Sequence, residues 1–110
     1  MSESILLVDD EEGIRTVLGL SLAEDGYDVT TAVDGEDALR VFAERCPAIV
    51  LTDIKMPGIG GLELLKRLKA ADPEVEVIML TGHGDMELAI ESLKNDATDF
   101  ITKPINDDAL

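Results

Sequence analysis

The sequence predicts an α/β fold built on one doubly wound parallel sheet, and three observations carry that prediction. Short apolar or β-branched runs recur five times, at 4–8, 28–32, 48–52, 75–80 and 99–102. Between them lie stretches whose apolar residues fall three and four positions apart, the spacing of a helix with one buried stripe. The loops joining the two kinds of segment are short. Strict alternation of this kind means parallel strands joined by right-handed crossovers, with helices on both faces.

Each element has its own signals. Ser4-Ile5-Leu6-Leu7-Val8 is a continuous apolar run, as expected of a strand covered on both faces, and it ends in Asp9-Asp10. After Glu11-Glu12-Gly13 a helix is expected to about Asp25, with Ile14, Val17, Leu18 and Leu22 inward and Gly26 just past its end. Asp28 to Ala32 is a shorter, more polar strand that belongs nearer a sheet edge. Asp34 caps the next helix, with Asp37 as a capping-box acid. Ala38, Leu39 and Phe42 form its inner face, and Pro47 lies beyond its end.

Ala48 to Thr52 is the third strand, followed by Asp53 and the loop Met56-Pro57-Gly58-Ile59-Gly60-Gly61. The next helix turns Leu62, Leu65 and Leu68 inward and Lys66, Arg67 and Lys69 outward, and Asp72-Pro73 stops it. Val75 to Leu80 is the fourth strand, ending in Thr81-Gly82-His83-Gly84. Asp85 caps a helix whose stripe is Met86, Ala89, Ile90 and Leu93, and Asn95-Asp96 tolerates the left-handed backbone at its end. Leu88 falls off that stripe and is open to an interface role. Asp99 to Thr102 is the fifth strand. A last helix begins near Asn106 or Asp107 and is truncated at Leu110. The sheet surface it would cover is expected to be exposed, which favours self-association, a homodimer included, or a partner.

Five strands suit the flavodoxin-like order 2-1-3-4-5, in which strands one and three are neighbours and the winding reverses between them. Ligands of open α/β sheets bind at that reversal, beyond the carboxyl ends of the strands.

Composition narrows the classes of function. The 110 residues make one domain, 1–110, and 45% of them are apolar, enough for a core. Twenty-four acids stand against nine Lys and Arg, a net charge of −15, so direct nucleic-acid binding by this segment is not expected. A single cysteine, Cys46, allows no internal disulfide and suits the cytoplasm. No apolar run approaches the ~18 residues of a membrane span, and the first residues carry no basic export signal.

The strand map places five polar groups on one edge of the sheet. Asp9 and Asp10 end the first strand, Asp53 the third, Thr81 the fourth and Lys103 the fifth. Neighbouring strands lie about 5 Å apart, which puts the three acids within reach of one ion. An acid ending a buried strand is costly unless paired or metal-bound. A hard cation with oxygen ligands, Mg²⁺, fits three clustered carboxylates, whereas Cys/His spacing for zinc is absent. A hydroxyl and an ammonium beside such a site make a phosphoryl pocket, with Asp53 as the nucleophile that becomes an aspartyl-phosphate.

The sequence resembles the receiver domain of two-component response regulators. The resemblance lies in ILLVDDEEGIR (5–15), LTDIKMPGIGGLELL (51–65), VIMLTGHGD (77–85) and ATDFITKPI (97–105), and covers essentially the whole chain. It implies that Asp53 is phosphorylated by a phosphohistidine on a sensor histidine kinase. It implies Mg²⁺ ligated by Asp10, Asp53 and the backbone carbonyl of Lys55, with Asp9 acting through water. Lys103 would hold a phosphate oxygen, and the Lys103–Pro104 bond would be cis. On phosphorylation Thr81 would move toward the new group and Phe100 would rotate inward. The output surface would be the fourth helix, fifth strand and fifth helix, relaying to a downstream effector domain. The chain would then be the N-terminal part of a longer regulator, and the wording of the second and third motifs resembles receivers joined to transcriptional activators.

Three features depart from the family pattern. Asp96-Ala97 replaces the usual Gly-Ala before the fifth strand, Lys55 and His83 occupy positions that tune phosphate lifetime, and the fifth helix is short. Two rival readings stand beside the switch. One is an aspartyl-nucleophile phosphohydrolase, which usually carries a second acid two residues after the nucleophile, where this chain has Lys55. The other is a receiver-like binding module that is never phosphorylated. The expectation is a switch that modifies only itself, without turnover of outside substrates.

Overall fold

The computed structural model describes residues 3–82 and 84–102. Its elements are β1 (Ser4–Val8), α1 (Glu12–Glu24), β2 (Asp28–Ala32), α2 (Gly35–Arg45), β3 (Ile49–Asp53), α3 (Gly61–Ala71), β4 (Glu76–Thr81), α4 (Met86–Lys94) and β5 (Asp99–Thr102). The strands form one parallel sheet in the order β2-β1-β3-β4-β5, as the sequence predicts. The expected fifth helix, the cis bond before Pro104 and the roles given to Lys103 and His83 fall outside the described residues.

Two apolar layers follow from the two strand faces. One face of the sheet contributes Leu6, Val8, Val50, Val77 and Met79 to a core shared with α2, α3 and α4. The other contributes Ile5, Leu7, Leu51 and Leu80, packed against Leu18 and Leu22 of α1. Among the described residues, this second face borders a groove of about 480 Å³ beside α1, lined by Ile5, Leu22, Ile49, Leu51, Ile78 and Ile101.

The capping predictions hold at Asp34, Gly26 and Asp96, and at Asp85 in position only. Asp34 accepts a hydrogen bond from the Asp37 N–H at 2.8 Å, and the Asp37 carboxylate reaches back to the Val33 N–H at 3.1 Å. Gly26 has φ 98° just past α1, and Asp96 takes φ 72° past α4, the left-handed backbone expected of it. Asp85 is the N-cap residue of α4, yet its side chain bonds none of that helix's free N–H groups.

Three inner faces differ from expectation. Val17 of α1 is exposed, because Ile14, Leu18 and Leu22, four residues apart, already meet the sheet. In α3 the buried leucines are Leu64, Leu65 and Leu68, with Leu62 packed at the margin, and Lys69 bends back to donate to the Val75 carbonyl at 2.7 Å. The largest difference is in α4. Ala89 and Ser92 are its buried residues and Leu88 packs against the core, while Met86, Ile90 and Leu93 are exposed. Small side chains let the helix lie close to the sheet, and the Ser92 hydroxyl is satisfied inside the helix by the Leu88 carbonyl at 2.8 Å. Apolar content therefore points to one side of this helix and close packing to another.

Candidate functional site

Strand register brings the acids together. Val8 pairs with Thr52, so the residues that follow, Asp9 and Asp53, emerge side by side at the carboxyl edge. Carboxylate oxygens of Asp9, Asp10 and Asp53 all lie within 4.8 Å of one another. Asp9 and Asp53 are buried and Asp10 is exposed, so the cluster is a shallow pit with one acid on its rim. At such separations two unit charges repel by about 4 kcal/mol at an effective dielectric of 20.

Local bonds aim the side chains. Asp53 Oδ1 accepts from the Ile54 N–H at 2.9 Å, and Asp9 Oδ1 accepts from the Glu11 N–H at 2.9 Å. Arg15, one turn into α1, donates to the Asp9 carbonyl at 2.8 Å and ties that helix to the pit.

The loop after Asp53 is fixed by close backbone approach. The Gly61 N–H donates to the Ile54 carbonyl at 2.7 Å. A Cβ on Gly61 would collide with the Asp53 carbonyl and stand 2.8 Å from Ile54 Cα, so the first turn of α3 can abut β3 only through glycine. Gly58 adopts φ 75° beside the Glu36 carboxylate, which accepts from the Ile59 N–H at 3.3 Å. Glu36 thus braces the loop from α2. Sequence reasoning missed this contact, because its partners are 23 residues apart and nothing in either stretch names the other.

Thr81 ends β4 with 1% exposure, and its hydroxyl donates to the Ile101 carbonyl of β5 at 3.4 Å. Phe100 is half-buried against the core layer that holds α4. Lys55, exposed along its length, places its ammonium 2.9 Å from the Asp85 carboxylate, whose side chain is 8% exposed.

A family model described as response regulator receiver domain matches residues 5–110. The chain belongs to that family. It is 43% identical to the nitrogen assimilation regulatory protein NtrX of Azorhizobium caulinodans, matching over all of this chain and 25% of that protein. It is 37% identical to sporulation initiation phosphotransferase F of Bacillus subtilis, over 100% of this chain and 89% of that one. Among solved structures, the receiver domain of NtrX from Brucella abortus aligns with TM-score 0.90 at 40% identity, covering 94% of this chain and 88% of that one. A receiver domain protein from Clostridium thermocellum aligns with TM-score 0.93 at 38% identity, over 97% of this chain and 86% of that one. The chain spans about a quarter of the length of the first curated relatives, 25% and 23%.

Receiver domains are phosphorylation-dependent switches of two-component signalling, not substrate-turnover enzymes, and they work with histidine kinases and effector domains. The family generally uses Mg²⁺ at its acidic pocket, which in this receiver is the Asp cluster. No described helix is long and apolar enough to cross a membrane.

Proposed function

We propose that this receiver accepts a phosphoryl group on Asp53 from a phosphohistidine of a sensor histidine kinase. The observation that carries the reading is the convergence of Asp9, Asp10 and Asp53 at the carboxyl ends of two adjacent central strands. A carboxylate oxygen of Asp53 attacks phosphorus, the phosphorus–nitrogen bond breaks, and the imidazole leaves and takes up a proton. The new acyl phosphate needs positioning and charge neutralisation rather than a separate acid–base pair.

The donor set suits Mg²⁺, which would supply neutralisation of the phosphoryl oxygens. Two oxygens on one such ion, at bonds of about 2.1 Å, are at most about 4.2 Å apart. Direct ligation by Asp10 and Asp53, with buried Asp9 acting through water, is what the family resemblance implies, and a cluster whose oxygens all lie within 4.8 Å of one another is compatible with it. The Lys55 carbonyl is the third protein ligand in this reading. Thr81 trades its bond to Ile101 for one to a phosphoryl oxygen, Phe100 follows inward, and Lys103 completes the oxygen contacts.

In this reading the protein works in the cytoplasm as the input domain of a longer regulator, residues 1–110 preceding a transcriptional effector. Relatives such as NtrX and the transcriptional regulator DctD of Pseudomonas aeruginosa, of which this chain spans about a quarter, support that arrangement. The groove beside α1 is the surface through which a homodimer or a further segment would close the sheet.

Incubation with Mg²⁺ and acetyl phosphate, followed by intact mass, tests the reading. One added phosphoryl group is expected, and none in Asp53→Asn. Unchanged mass in the parent chain would sink it, and steady phosphate release from unrelated esters would support the hydrolase instead.

A further inference from the structure

Two helices meet the loop that follows Asp53, residues 54–60, and each begins on a buried glycine, Gly35 of α2 and Gly61 of α3. Gly61 fixes where the loop ends against β3. Gly35 meets it one turn earlier, where a Cβ would stand 2.9 Å from both the Cβ and the carbonyl oxygen of Ile59. Gly35 is not among the residues with left-handed backbone, so close approach and not conformation demands a glycine there. The next residue of α2 takes the other side of Ile59. Glu36 Oε1 accepts from the Ile59 N–H at 3.3 Å and lies 2.7 Å from where a Cβ of Gly58 would be. An acid in the first turn of a helix is favoured on its own account. This one also reaches out of its helix to the loop, so α2 holds Ile59 at its N–H and at its carbonyl.

The loop has apolar anchors as well. Ile54 is buried, and Met56 and Ile59 pack against the core layer that α2 and α3 share. Between Ile54 and Met56 stands Lys55, whose backbone carbonyl is the third protein ligand in the reading proposed above. A carbonyl has no rotamers, so its place is the place of the loop, whereas a carboxylate can turn to follow an ion. Mg²⁺ demands near-ideal octahedral geometry at bonds of about 2.0–2.1 Å. A small displacement of the loop is therefore felt first at this ligand.

We propose that Gly35 and Glu36 are positioning residues for the metal site, the start of α2 setting the height of the loop and with it the place of the Lys55 carbonyl. Gly35 lets the loop settle against the helix, and Glu36 holds it there. Both act through Ile59, and neither is a ligand. The metal half of this proposal rests on the Lys55 carbonyl being a ligand; the brace between α2 and the loop does not.

The test compares Gly35→Ala, Glu36→Ala, Glu36→Gln and the control Asp34→Ala. Each is measured for Mg²⁺ affinity by isothermal titration calorimetry, for amide hydrogen exchange at Ile59 and for stability in urea. Glu36→Ala should raise the Mg²⁺ Kd about threefold, less than the roughly tenfold lost with a group bonded to a ligand itself. It should also speed exchange at Ile59 about fivefold, the factor one ordinary hydrogen bond is worth. Glu36→Gln keeps an acceptor oxygen without the charge and should restore both. Gly35→Ala should raise the Kd about tenfold, because the Ile59 carbonyl cannot yield unless the loop moves. Asp34 caps the same helix through the Asp37 N–H, so its alanine variant should loosen α2 and leave the Kd within about twofold. An unchanged Kd in Gly35→Ala and Glu36→Ala overturns the positioning role. So does a Glu36→Gln variant as weak as Glu36→Ala, which would assign the effect to charge, or an equal loss in Asp34→Ala, which would assign it to the stability of α2. A parent chain that binds no Mg²⁺ sinks the metal reading instead, and exchange at Ile59 then decides the brace by itself.

Discussion

Helices α3 and α4 follow neighbouring strands and pack on the same face of one sheet, yet they are held in different ways. The first buries three leucines at 0% exposure and abuts β3 through a glycine that admits no side chain. The second buries an alanine and a serine, turns three large apolar residues to the outside, and leans on a charged pair at its start. One helix is fixed by volume, which has no alternative arrangement of similar energy. The other buries less volume, with Leu88, Ala89 and Ser92 on the core side, and carries an ion pair at its start. A switch needs both, a frame that keeps the acceptor in place and an element that answers it.

The widest separation between the two helices should appear in paired truncations. Leu65→Ala is expected to cost about 2–5 kcal/mol in urea unfolding, as a fully buried leucine in a packed core does. Ile90→Ala, on the outer face of α4, should stay within about 0.5 kcal/mol. Equal losses would mean that α4 is packed as firmly as α3 and would remove the contrast. Helix α2 gives a smaller, calibrating effect. Its Asp34 cap makes the side-chain bond that the α4 cap does not, so Asp34→Ala should cost about 0.5–2 kcal/mol by the same measurement.

The smallest effect is a pH dependence. The Arg40 guanidinium, 2.7 Å from Asp37, and the Val33 N–H hold the Asp37 carboxyl below its ordinary pKa. A carboxyl lowered in the folded state adds stability that is full above its unfolded pKa and is lost as pH falls through the folded one. The destabilisation caused by Asp37→Asn should therefore shrink on acidification through the carboxylate range, and should be slight throughout because the pair is exposed. A difference that stays constant to the acid end would assign the effect to packing at the start of α2 rather than to charge.

Much of this molecule was legible in its sequence because period and punctuation agree. Five runs, their order and the glycine, proline and aspartate boundaries fix the strands to within a residue, and the family motifs fall on the carboxyl edge. The acid cluster was legible for the same reason, since three aspartates follow apolar runs that pair in register. What escaped was rotation and reach. In α4 the apolar maximum marks the outer face, since close approach to the sheet selects small residues and not hydrophobic ones. Lys55 with Asp85 and Glu36 with Ile59 meet across loops distant in the chain, and neither residue pair carries a local pattern.

The parallel register of β3 has a further consequence. Each residue of that strand faces the opposite side from its neighbours, so adding or deleting a single position would carry Asp53 into the wrong layer and set an apolar side chain at the mouth. Loops on this scaffold are free to lengthen, but these five residues can vary only in kind, never in number.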